Sequence, residues 1–189
     1  MQATGSTAFD DFSDLVLGRA LPAGAEALIA HAGANWHHPE VAQASLEAAR
    51  AMAPDHPATL IALYRFHFYG NRLPQTRVVA CDAITLAARA LGIAQDWRQV
   101  SEAQWREQTT ALGGGFEPLP RFWLFSLKGY AYLCMRLGDL DEGARALAVL
   151  TRLDPENRVG HRVLEDVLAR IGHEDDDYLD DPSPQENAA

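Results

Sequence analysis

Along residues 124–157 the apolar positions recur with a helical period. Leu127, Tyr130, Ala131 and Cys134 lie three or four residues apart and make one face of a first helix. Gly138-Asp139 interrupts that pattern, and Ala144, Leu147, Ala148, Leu150 and Thr151 then form the stripe of a second helix. This helix closes at Leu153-Asp154-Pro155, because Pro155 lacks the amide hydrogen that would continue it and Asp154 suits a cap. The segment reads as a helix–turn–helix unit of 34 residues.

The same register extends upstream. Residues 23–56 end in Met52-Ala53-Pro54-Asp55-His56, and Val41, Ala42, Ala44, Leu46, Ala48, Ala49 and Met52 outline their second helix. Residues 57–90 give another copy. Leu60, Leu63, Tyr64 and His67 share a face, Gly70-Asn71 makes a turn, and Pro74 fits the first turn of the helix that follows. Residues 91–123 depart from the pattern. They carry Trp97 and Trp105, a Ser101 placed to cap a helix over 102–112, then Gly113-Gly114-Gly115 with Pro118 and Pro120. Two readings fit that segment, a degenerate repeat or an insertion with a flexible loop. Residues 158–171, with Val159, Val163, Leu164, Val167, Leu168 and Ile171, predict a C-terminal capping helix. Residues 7–18, with Phe9, Phe12, Leu15, Val16 and Leu17, predict a short N-terminal helix within the segment 1–22. The expectation is an all-α chain.

These units resemble the tetratricopeptide repeat (TPR) family, most clearly over residues 124–157. That family spaces its first helix with a large apolar, a small and an aromatic residue, turns at Gly-Asp, and ends its second helix at Asp-Pro. The chain departs from it at Gly143, where Ala is usual, and at Cys134, where Tyr is usual. The resemblance implies a helical-hairpin solenoid over residues 23–171. Its repeats are 23–56, 57–90 and 124–157, with 91–123 as the irregular slot and 158–171 as the cap.

Charge is unevenly spread. Of the net −10, residues 173–189 hold seven acids and no Lys or Arg, which leaves −3 for residues 1–172. An acidic stretch with two prolines and few apolar anchors cannot offset its ordering entropy, so 172–189 is expected to be a disordered tail. No basic stripe is present, which argues against nucleic acid. No apolar run reaches the roughly 20 residues of a membrane helix. Residues 1–14 carry three Asp and no cation, unlike a secretory signal. Cys81 and Cys134 stand far apart in sequence, which excludes a disulfide scaffold and a thiolate zinc site and suits the cytoplasm.

Candidate chemistry is sparse. Gly113–Gly115 has neither a preceding strand nor a Lys-Ser/Thr sequel, so it reads as a linker. His37 and His38 are adjacent and point about 100° apart on a helix, a poor start for a shared metal. The two cysteines fall on apolar faces, where the thiol behaves as a small hydrophobe. No catalytic residue, metal site or cofactor is assigned.

The TPR resemblance implies a concave surface lined by the first helix of each repeat. It assigns the ligand-facing positions to His31 and Asn35 in the first repeat. The second supplies Ile61, Arg65, Phe68 and Tyr69, and the last supplies Phe125, Lys128, Tyr132, Met135 and Arg136. Aromatic and Arg side chains dominate protein interfaces, and cations beside apolar pockets suit a peptide with acidic and hydrophobic side chains. The same aromatics have a competing reading as core. The expected function is a non-enzymatic scaffold or adaptor that binds a protein or peptide, with no nucleic acid or membrane. The oligomeric state stays open, since Trp or Phe of 91–123, if exposed, could make a homo-oligomer interface. Two alternatives stay open. Pro120-Arg121-Phe122 followed by Leu137-Gly138-Asp139-Leu140 resembles the last repeat of type III secretion translocator chaperones. Residues 64–71 and 127–139 are similar to small TPR proteins encoded among bacterial nitrogen-fixation genes.

Overall fold

The computed structural model describes residues 20–114 and 117–179, with side chains described as far as Ile171. The helices are α1 (Ala23–Ala34), α2 (Pro39–Met52), α3 (Pro57–Tyr69), α4 (Leu73–Leu91), α5 (Glu102–Ala111), α6 (Pro118–Arg136), α7 (Leu140–Leu153) and α8 (Arg162–Leu179). A single 3₁₀ turn covers Trp97–Gln99, and no strand occurs among the described residues. Prolines open α2, α3, α4 and α6, where a missing amide hydrogen costs nothing because the first turn has no partner for it. Gly138, at φ +82°, reverses the chain between α6 and α7.

Short turns at 35–38, 70–72 and 137–139 join α1 to α2, α3 to α4 and α6 to α7, and each pair packs along its length. The first two hairpins meet through α2 and α3. Arg72 also donates to Gln43 at 2.7 Å, and Arg50–Asp82 and Arg89–Asp55 make ion pairs across the same seam. Exposed pairs of this kind contribute little each. The apolar interior carries the seam, in a cluster that runs without a break from Ala32 and Ala42 to Leu164.

The most extensive helix contact is between α4 and α6, which are separated in sequence by the irregular segment. The third hairpin therefore follows the second directly. Between α4 and α6 the described residues form one 3₁₀ turn and the single helix α5 rather than a pair of helices. Both lie against α7, and Ser101 caps α5 by accepting from the Gln104 amide at 3.2 Å. The two tryptophans of this segment are not exposed as expected. Trp97 and Trp105 are 6% exposed, because the segment folds back and uses them as core.

Gly143 has a steric reason. A Cβ there would lie 2.8 Å from Met135 Cγ and 3.3 Å from the Ala131 carbonyl oxygen, so α6 and α7 approach too closely for alanine. After α7 the buried Asp154 carboxylate accepts the amides of Arg158 and Val159 at 3.0 and 2.9 Å, which shapes the turn into α8. A correction concerns the tail. Helix α8 continues to Leu179, eight residues past the expected boundary at Ile171. Extending a helix already nucleated by packing is far easier than starting one, and no proline intervenes before Pro182. The N-terminal helix expected over 7–18 and the remainder of the tail lie outside the described residues.

Candidate functional site

Helix α3 places Tyr64 and Phe68 one turn apart, and their rings stack with centroids 5.9 Å apart and planes 11° from parallel. Phe68 meets Tyr69 edge-on at 5.6 Å and reaches across to Tyr132 of α6 at 6.0 Å. The Arg136 guanidinium lies 5.7 Å from the centre of the Tyr132 ring and donates to its hydroxyl at 2.6 Å. At the other end, Trp36 from the α1–α2 turn packs edge-on against Phe66 at 5.6 Å and Tyr69 at 6.3 Å. The result is an aromatic row from the first turn across α3 to α6, ended by a cation. Each such pair is worth about 0.5–1.5 kcal/mol beyond its buried area.

Tyr64 is half-buried in the row. Gly129, mid-way along α6, makes room for it, since a Cβ there would fall 2.9 Å from the Tyr64 hydroxyl. Burial, reinforced by the neighbouring Tyr132, pushes the Tyr64 phenol up to about 12, so it keeps its proton at neutral pH. Beside it, between α3, α4 and α6, is a cavity of about 330 Å³. Leu60, Ile61, Ala80, Ala83, Phe122 and Phe125 form its apolar wall, and Tyr64, Arg121 and Ser126 supply its polar groups. Phe125 remains 47% exposed.

Among the positions expected from sequence, Phe68, Tyr69, Tyr132 and Arg136 come together in the row, and Ile61 and Phe125 in the cavity. His31 and Asn35 bond locally instead. His31 Nδ1 is 2.9 Å from Ser45 Oγ, and the Asn35 amide donates to the His31 carbonyl at 2.9 Å. Arg65 is exposed on α3. Met135 is half-buried on the core beside Gly143. Lys128 donates to the Val159 carbonyl at 2.7 Å, holding α6 to the turn before α8, and burial lowers its pKa. Trp36, Tyr64, Phe122 and Arg121 were not among the expected positions. The usable signals were Gly129 inside a strong helix, which marks a close approach, and Trp36 standing among polar turn residues.

A second grouping ties the insertion to the third hairpin. Glu142, 6% exposed, accepts a 2.7 Å hydrogen bond from the Tyr130 hydroxyl and pairs with Arg98 of the insertion and Arg145 of α7. Burial alone would raise its carboxyl pKa. The Tyr130 and Arg145 hydrogen bonds and the Arg98 charge outweigh that and hold it below the ordinary value. The Arg98 guanidinium also covers the Trp97 ring at 4.3 Å, and Trp97 leans on Tyr130 at 5.9 Å. A more polar cavity of about 350 Å³ lies between α5 and the α7–α8 turn. Its charges are largely engaged, with Arg152 on the Val100 carbonyl and Asp154 on the backbone amides already described. Both cysteine thiols have pKa values raised first by burial. Among the described residues no group of three or more His, Cys, Asp or Glu is placed to hold a metal. No described helix is long and apolar enough to cross a membrane.

His67 gives the fold a pH response. Burial and then the nearby Arg72 lower its pKa below 6.5, although Glu47 opposes this. The folded state keeps the ring neutral while the unfolded chain takes up a proton below about 6.5. Its contribution is therefore intact above that pH and is lost as pH falls toward the lower folded value. Thermal melts at pH 7.5 and 5.5 should show a lower midpoint at 5.5, and His67→Gln should reduce the difference.

The arrangement of row and cavity can bury a bulky apolar side chain, hydrogen-bond through tyrosine hydroxyls and face a carboxylate with Arg136. The chain is 34% identical over 128 residues to the "Uncharacterized 19.8 kDa protein in nifW 5′ region" of Azotobacter chroococcum mcd 1, a match covering 68% of this chain and 70% of that protein. The chain belongs to that protein's family. No family model matches it, and no solved structure matches it.

Proposed function

We propose that the chain is a non-enzymatic protein-interaction module, a TPR-like solenoid of three hairpin repeats that acts in the cytoplasm as a scaffold or adaptor. It binds a peptide or a segment of a partner protein along α3 and α6. The single observation that supports this reading best is the placement of the aromatic row and its adjoining cavity. Both draw on the first helices of consecutive hairpins, α3 and α6, which are the helices that line the concave face of such repeats. A half-exposed Phe125 and a largely exposed Tyr69 offer the anchoring residue types of interfaces. The name of the Azotobacter protein places it in the nifW 5′ region. That favours, as a second reading, the same module acting as an accessory protein in nitrogen fixation.

The test compares affinity capture by the full chain with capture by a Tyr69→Ala, Phe125→Ala, Arg136→Ala variant. Circular dichroism and thermal melting establish that both are folded. A partner retained by wild type and reduced at least tenfold by the variant is the expected result. Equal retention by both would remove the groove from the proposal.

A further inference from the structure

We propose that the cavity between α3, α4 and α6 is occupied in cis by the chain's own residues 7–18, so that a partner reaches it by displacing them. This goes beyond the binding role proposed above. The first ground is where the chain enters the fold. Leu21 packs against Ala25, Ala49 and Ala53, at the end of the first hairpin where α1 starts and α2 finishes. Helix α3 starts directly after α2, and so begins at that same end. Helix α6 runs antiparallel to α4, as the Arg77–Asp139 ion pair at 3.5 Å fixes, and also begins there. The cavity is built from the first two turns of α3 and of α6, at Leu60, Ile61, Phe122 and Phe125. Residue 20 therefore leaves the fold at the end of the molecule that carries the cavity. Neighbouring helix axes lie about 8–10 Å apart, and the four residues from 20 back to 16 span about 13 Å when extended, more than one axis spacing, so residues 9–16 reach α3 and the cavity beside it.

The second ground is chemical. Residues 7–18 combine Phe9, Phe12, Leu15 and Val16, at spacings that share one helical face, with Asp10, Asp11 and Asp14. The cavity wall is apolar, while Arg121 lines it and Arg65 stands on the neighbouring face of α3. Aromatic side chains match the wall, and the carboxylates match the arginines in sign. A short tether raises the effective concentration to the millimolar range, so a contact too weak to survive between separate molecules fills the cavity within one chain.

The experiment uses the full chain with p-benzoylphenylalanine in place of Phe125. After irradiation, the expected product is a monomer cross-linked between position 125 and residues 7–18. Phe9→Ala, Phe12→Ala and Leu15→Ala together should reduce that product at least tenfold. A cross-link to a second copy, a cross-link only to α1 or α2, or no cross-link overturns the proposal. Because the photoprobe itself alters the cavity, the same triple substitution is also compared with the natural sequence by NMR. Shifts concentrated at Ile61, Ala80 and Ala83 are expected, and unchanged resonances there overturn the proposal. Failure here leaves the capture result standing. A positive cross-link combined with equal capture by wild type and groove variant would instead count against partner binding.

Discussion

Trp123→Ala is expected to destabilise the chain by about 3–5 kcal/mol, the range for truncating a large buried aromatic. Trp123 is fully buried, the bulkiest side chain to be so among the described residues, and its ring lies 5.2 Å from that of Trp105. It stands on α6 within the one buried apolar cluster that also takes in residues of α4, α7 and the segment 92–117, so the void left by its indole opens inside a close-packed core. Nothing polar is forfeited, because its Nε1 has no hydrogen-bond partner among the described residues. The loss is packing alone. For a domain of this size it corresponds to a fall in melting temperature of roughly 6–20 °C. Trp123→Phe keeps most of the packing and removes the unpartnered N–H, so it should cost clearly less. Thermal or urea unfolding of both variants checks the pair, and equal midpoints for Trp123→Ala and wild type would contradict this packing.

Glu142→Ala should cost about 2 kcal/mol, since it leaves the buried Tyr130 hydroxyl without its acceptor. The cost stays below that of breaking a fully buried ion pair because Arg98 and Arg145 are 47% and 60% exposed and regain water. Glu142→Gln should cost less, as an amide oxygen still accepts from Tyr130. The pH sign follows from the lowered carboxyl pKa. The stabilisation is complete above the ordinary value of 4.5 and is lost as pH falls through the lower folded value. Limited proteolysis between 92 and 117 gives a second readout, because releasing Arg98 loosens the insertion. Tyr130→Phe combined with Glu142→Ala should be less than additive, since both act on one bond. Full additivity would show that Tyr130 and Glu142 act separately.

The hairpins were legible because each rests on local rules. Pro39, Pro57, Pro74 and Pro118 open helices, Gly138-Asp139 turns the chain, and the apolar spacing of Leu127, Tyr130 and Cys134 marks a buried face. What opposes that face is not local. Glu142 reads as an ordinary acid in the first turn of α7, and only Arg98, 44 residues earlier, and Tyr130, 12 residues earlier, make it a buried hub. Lys128 was expected as a groove cation, yet its partner is the Val159 carbonyl 31 residues on. The aromatic row was half legible. Phe68, Tyr69, Tyr132 and Arg136 were among the positions expected from the resemblance, whereas Trp36 joins only because the α1–α2 turn folds over Phe66. The insertion was ambiguous for the same reason. Two tryptophans and a triple glycine do not reveal that α4 and α6 meet directly beneath them.

The proposed groove is tested most directly by hydroxyl-radical footprinting of the full chain, alone and with a captured partner. Tyr69, Phe125 and Tyr132 are readily oxidised side chains that lie along α3 and α6, and Tyr69 and Phe125 are exposed. Binding along these helices predicts that oxidation of all three falls severalfold in the complex, while Leu112 and Val163, exposed elsewhere, are unchanged. Protection confined to the insertion or α8, with Tyr69, Phe125 and Tyr132 oxidised as before, would contradict it.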